Sequence, residues 1–370
     1  MKQSFLCSTV MLCFLLIFAV AHLYAQEETP VSIEKYLQTL KECNIKDPAY
    51  LAQLEAEKKQ YGISSRDIQI MNLYVMKFMQ FKSWDVPFCR LPLLREDGQV
   101  RERVVLRQQL TMPAESGIET KGNFAFLSPS EVRGMKALMI TYYDAKKEND
   151  YWMYVPSLRK IRRISAADRD DSFFGSDCTW ADAADIKPDE ERHRILKEAS
   201  YPKEWDKKIW DEPGTDSWEF VFLPSMAGVE GPAVDKLESL KHNFAFKFPL
   251  SAGRIPREDN MEPMCYLIES IPQWQTYYNK KITWYHKEHK ISLCQDYYDE
   301  RGRHVKTFKR TYIRIGDKPG VPGPTLSQNW WFIKTLTTGH ATFHDVISQV
   351  PNKPLGEYLF TQSFLLSTGR

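Results

Sequence analysis

Tyr151-Trp-Met-Tyr-Val-Pro-Ser-Leu-Arg-Lys-Ile-Arg-Arg-Ile-Ser165, followed shortly by Arg169-Asp-Asp-Ser-Phe-Phe-Gly-Ser-Asp177, decides how this chain is read. The first stretch joins an aromatic strand to a basic strand, and the second is an aromatic loop. Gly175 in that loop is expected to take a backbone angle that other residues resist. Nothing in the block has the make-up of a catalytic triad or a metal cage. It reads as part of a curved sheet that holds an apolar guest or packs on another surface.

Outward from this block the period of two persists. Residues 99–110, 123–127 and 135–143 are strand-like, and the charged turn 146–150 makes a hairpin of 135–143 and Tyr151–Val155. The second half repeats the habit at 264–271, 277–286, 291–298 and 304–315, with a further hairpin around Thr338-Gly339. In 304–315, Val305, Thr307, Thr311, Ile313 and Ile315 share one face, expected to meet the core. His304, Lys306, Phe308, Arg310, Tyr312 and Arg314 share the other, expected to meet water.

Helical spacing is confined to the beginning. Ile33, Tyr36, Leu37 and Leu40, then 49–59 before Gly62, read as helices, and Ser64-Ser65-Arg66-Asp67 opens a third. The methionines of that third segment serve either as ordinary core or as an adaptable cover over a cavity. A short helix is expected at 190–197, after which six prolines mark about 190–260 as an insertion with one short strand at 218–222. The expected fold class is α+β: a strongly curved antiparallel sheet, or unclosed β-barrel, with helices covering its open side.

Residues 1–25 read as a secretory signal peptide, with Lys2 followed by the apolar run 5–20 and small residues at Ala19, Ala21 and Ala25. Residues 26–98 are then an N-terminal helical segment, and 99–366 the incomplete barrel with its insertion. The formal charge of the whole chain is +2, so nucleic acid is not expected as a partner. Cys43, Cys89, Cys178, Cys265 and Cys294 show no CxxC spacing; they form one or two disulfides or remain buried thiols. His286 and His289 fall at a turn and His340 and His344 in a strand, so neither pair makes a metal-binding helical face. No phosphate-binding glycine loop or nucleophile elbow occurs, and neither a metal, a cofactor nor an enzymatic activity is expected.

Phe126-Leu-Ser-Pro129, Val132-Arg-Gly-Met135, the 151–165 block and Ser172-Phe-Phe-Gly-Ser-Asp177 together resemble the outer-membrane lipoprotein-sorting (LolA-like) family, especially its larger, export-associated members. Tyr277–Tyr285, Asp296-Tyr-Tyr-Asp299, Thr338-Gly-His-Ala-Thr342 and Leu359-Phe-Thr361 agree in order, so the resemblance spans about 99–185 and 263–366. It implies a periplasmic carrier of lipid or lipoprotein acyl chains, moving them toward the outer membrane between an inner-membrane exporter and an outer-membrane acceptor. Tyr151, Trp152, Tyr154, Phe173 and Phe174 are the candidate lipid wall, and Arg162, Arg163 and Asp177 the candidate rim charges. The arginines either pair with Asp168, Asp170, Asp171 and Asp177 or meet lipid phosphates. The alternative function is a non-enzymatic docking subunit of an exporter or outer-membrane complex.

Overall fold

The helices form where local signals place them. In the computed structural model, which describes residues 31–97, 99–165, 168–184, 186–201, 263–315 and 325–367, α1 (Ile33–Thr39) is capped by the Ser32 side chain. Asp47 and Pro48 open α2 (Pro48–Tyr61), and Gly62 ends it at φ +76°. The Ser64 hydroxyl accepts from the Asp67 amide to start α3 (Ser65–Met76), as the Ser-Ser-Arg-Asp run predicts. The expected signal peptide and the expected strand at 218–222 lie outside the described residues.

Among the described residues thirteen strands follow in one sheet. The first six are β1 (Ser83–Leu94), β2 (Val100–Thr111), β3 (Ile118–Ser128), β4 (Lys136–Tyr142), β5 (Asp150–Val155) and β6 (Lys160–Ile164). A short α4 (Trp180–Ala184) precedes β7 (Glu191–Ser200), β8 (Met264–Pro272), β9 (Lys280–His286), β10 (Ser292–Tyr298), β11 (His304–Ile315), β12 (Thr325–Thr335) and β13 (Ala341–Pro351); α5 (Gln362–Leu366) comes last. All pairings are antiparallel, in the order β6-β5-β4-β3-β2-β1-β13-β12-β11-β10-β9-β8-β7. First and last strands are therefore neighbours, and β6 and β7, consecutive in the chain, stand at opposite ends of the order.

That order corrects the expected fold. Among the described residues no pairing joins β6 to β7, so the sheet is a single open one, not a strongly curved sheet or unclosed β-barrel. The α+β class stands, with helices against the sheet. Alternation along a strand fixes which residues share a face; closure depends on strand register around the whole sheet, which no single strand encodes. Two elements also differ from expectation. The N-terminal helical segment 26–98 also contributes β1, and 191–200 is strand rather than helix because Glu191, His193 and Ile195 alternate into the interior while the strand pairs with β8.

Both sheet ends are protected. Helix α2 lies along β7, where Tyr50 accepts from the His193 amide at 3.1 Å, Glu57 from the Ile195 amide at 2.8 Å, and Gln53 donates to the His193 carbonyl at 2.8 Å. At the other end, β6 is five residues long and exposes Lys160, Arg162 and Arg163. The main core covers one face, combining Val86, Val105, Phe126, Met139, Phe308 and Ile333 with Phe173, Phe174 and Trp180 of the β6–β7 connection. A second cluster, Leu138, Phe360 and Leu365, seats the C-terminal segment on the opposite face. All five described cysteines are free thiols, four of them buried, and burial pushes Cys265 up to about 12.

Candidate functional site

Everything distinctive about the main face comes from the chain between β6 and β7. Ser172 and Thr179 form an isolated antiparallel bridge, and the Phe173 amide donates to the Cys178 carbonyl at 2.7 Å. Between them Phe174 and Gly175 both take left-handed angles, φ +53° and +75°, which turns the loop tightly. Gly175 thus plays the role expected of it. The turn sets the Phe173 and Phe174 rings edge to face at 4.8 Å, and Trp180 meets them at 4.8 and 5.5 Å. Phe173 also packs on Phe124 and Phe174 on Phe126, so two aromatic side chains of the crossover press onto β3.

The crossover is pinned at three places. Asp177 accepts from Thr335 at 2.6 Å and from Thr342 at 2.8 Å, fixing the loop to β12 and β13. Lys306 of β11 donates to the Asp177 carbonyl at 3.0 Å and lies 3.5 Å from Asp182. Burial alone would raise the Asp182 carboxyl, but Lys306 and the Thr179 amide hold it below the usual carboxylate range. Arg169 grips Glu190 with two hydrogen bonds, at 2.9 and 3.1 Å, and lies over the Trp274 ring.

Beneath Phe173 lies a cavity of about 40 Å³. Its apolar wall comes from Met76, Leu91, Val105, Phe124, Phe126 and Phe308, and its polar wall from Arg107, Asp182, Arg310, Gln328 and His344. That volume has room for a few water molecules, at about 10–15 Å³ each. The hollow is filled by the protein's own aromatic side chains.

The predicted wall residues do not share one surface. Tyr151 faces the main core, stacked on Trp180 at 6.3 Å, and joins Phe173 and Phe174 there. Trp152 and Tyr154 alternate to the opposite face, in the cluster with Leu138, Phe360 and Leu365. Arg163 pairs with Asp150 at 2.7 Å and Arg162 lies 3.5 Å from Asp168, both arginines largely exposed. Asp177 serves the threonines instead.

Sequence reasoning missed the polar wall. On the β11 face expected to meet water, Lys306, Phe308, Arg310 and Tyr312 are all buried, as is Val305 of the other face. The available signal was the pair of aromatics alternating with the cations on that face. His344, which the sequence places in a strand, is buried and stacks on Trp331 at 4.7 Å with an interplanar angle of 9°. Burial, helped by Arg107, pushes its imidazole well below the ordinary histidine value. Among the described residues no group of three or more His, Cys, Asp or Glu is placed to hold a metal ion, and no helix is long and apolar enough to cross a membrane.

Residues 119–216 and 252–367, more than half of the chain, match the profile of a family described as "-like: Uncharacterized protein". The chain belongs to this family. A comparison with curated proteins finds no match. Among solved structures, a domain assigned to the outer membrane lipoprotein-sorting proteins from Vibrio parahaemolyticus is similar over 82% of this chain and 98% of its own, at 17% identity and a TM-score of 0.57. A DUF1329 family protein from Desulfovibrio piger is similar over 85% of this chain and 99% of its own, at 18% identity and a TM-score of 0.57. This member of the family thus shares its fold with the lipoprotein-sorting domain over most of its length.

Proposed function

We propose that the protein is a non-enzymatic periplasmic carrier that seats acyl chains of a lipid or lipoprotein beneath the β6–β7 crossover for transfer toward the outer membrane. The observation that supports this reading is the cavity under Phe173, whose apolar wall continues into the aromatic side chains of the crossover itself. The fold shared with a lipoprotein-sorting domain agrees with it. In the closed form Phe173 and Phe174 occupy the acyl site, and a guest displaces them.

The energetics set a lower limit on the guest. Exposing two phenylalanines costs about 3–6 kcal/mol at roughly 1.5–3 kcal/mol each, and each buried methylene returns about 0.8 kcal/mol. A chain therefore needs roughly four to eight buried methylenes before displacement is favourable. Met76 on the cavity wall is able to repack around it. The docking alternative requires a sheet edge open to a partner strand, yet β6 is short and charged and α2 occupies the β7 backbone. Titrating delipidated protein with fluorescent acyl probes of four to sixteen carbons tests the carrier reading. Binding is expected to appear only beyond about eight carbons; no binding at any length rejects it.

A further inference from the structure

The polar wall of the cavity has unspent hydrogen-bonding capacity of one kind. Arg310 is buried, and its Nη1 donates at 2.6 Å to Gln295, a neutral partner. Among the described residues its Nε has no hydrogen-bond partner, and neither has either ring nitrogen of His344. Three other buried cations of the interior are matched by carboxylates, Arg66 by Asp189 at 2.6 Å, Lys77 by Glu119 at 2.6 Å and Lys281 by Glu191 at 2.8 Å, while Lys136 and Lys187 donate to backbone carbonyls. His193 shows what a satisfied core histidine looks like here, with Ser270 on one nitrogen at 2.8 Å and the Pro188 carbonyl on the other at 2.9 Å. Among the described residues the one carboxylate on the cavity wall, Asp182, is already taken by Thr179, Tyr297 and Lys306.

The wall is thus cationic and rich in donors, in a site where an uncompensated buried charge is costly. We infer that the cavity receives the carboxylate of a single-chain fatty acid, held by Arg310 Nε–H and a ring N–H of His344, with the chain running along Phe124, Phe126 and the displaced Phe173. This rests on the carrier reading and adds the class of head group. One carboxylate oxygen accepts from each donor, and its charge supplies what neutral Gln295 does not. An ester or an alcohol of the same chain length lacks that charge.

Calorimetric titration of the delipidated full-length protein at pH 8 with dodecanoate, dodecanol and methyl dodecanoate separates the possibilities. Dodecanoate is expected to bind about 10- to 100-fold more tightly than the other two, the range given by one charged hydrogen bond. Equal affinity for all three overturns the head-group assignment while leaving the carrier reading intact, and no binding by any of them overturns both. Arg310→Gln and His344→Leu are each expected to shrink the preference for dodecanoate over dodecanol. Should both variants keep the full preference, the carboxylate sits elsewhere and the assignment fails. The comparison of ligands on the unmodified protein decides the matter even if a variant does not fold.

Discussion

Two regions of the same sheet face are built on opposite principles. Under the crossover, β1–β4 meet Phe173, Phe174 and Trp180 in a dry aromatic contact. Under α3 and toward β9–β11, the interior is polar and closely paired. Lys281 and Tyr278 both engage Glu191, Asn72 accepts from the Ser292 amide, and Arg66 holds Asp189. The dry region is held by transfer from water, which tolerates exchange of one apolar group for another. The polar region is held by specific partners, and separating any pair strands a buried charge. Opening is therefore cheaper under the crossover, and a guest is expected to enter there.

The largest test of this contrast is Lys281→Met, which leaves Glu191 buried without its cation. It is expected to cost about 3–5 kcal/mol in urea denaturation. Next comes the pH response of Asp189, where burial would raise the carboxyl but Arg66 and the Asn44 amide hold it below its ordinary 3.8. A carboxyl depressed in the folded state contributes stability above its unfolded value and loses it as pH falls through the folded value. Wild-type stability is thus expected to fall as the solution is acidified below about pH 4, and Asp189→Asn to flatten that part of the profile measured by thermal unfolding. The smallest effect belongs to the dry side. Phe173→Leu is expected to cost only about 1–1.5 kcal/mol, because neighbouring apolar groups repack. A cost for Phe173→Leu equal to that of Lys281→Met removes the distinction between the two regions.

Several parts of this arrangement were legible in the residues alone. The Ser64 cap, the Gly62 end of α2, the hairpin of β4 and β5, the span of β11 and the left-handed turn at Gly175 follow from local chemistry. Two-residue alternation also separates Tyr151 from Trp152, so the aromatic block of β5 was bound to be split between faces. The other half of the site was not legible. Lys306 and Arg310 carry the pattern of a solvated face, and they are buried because the crossover and α3 lie over them.

By itself the sequence determined where most strands and helices begin, β1 and β7 excepted, which side chains share a face, and which loop bends at Gly175, since these depend on neighbours within a few residues. The tertiary structure decided which of the two faces is covered, that β1 lies beside β13, that the sheet stays open, and that Asp177 meets threonines instead of arginines. Those outcomes depend on contacts between residues more than a hundred positions apart, whose pairing is chosen by the packing of the whole sheet and has no local period to announce it.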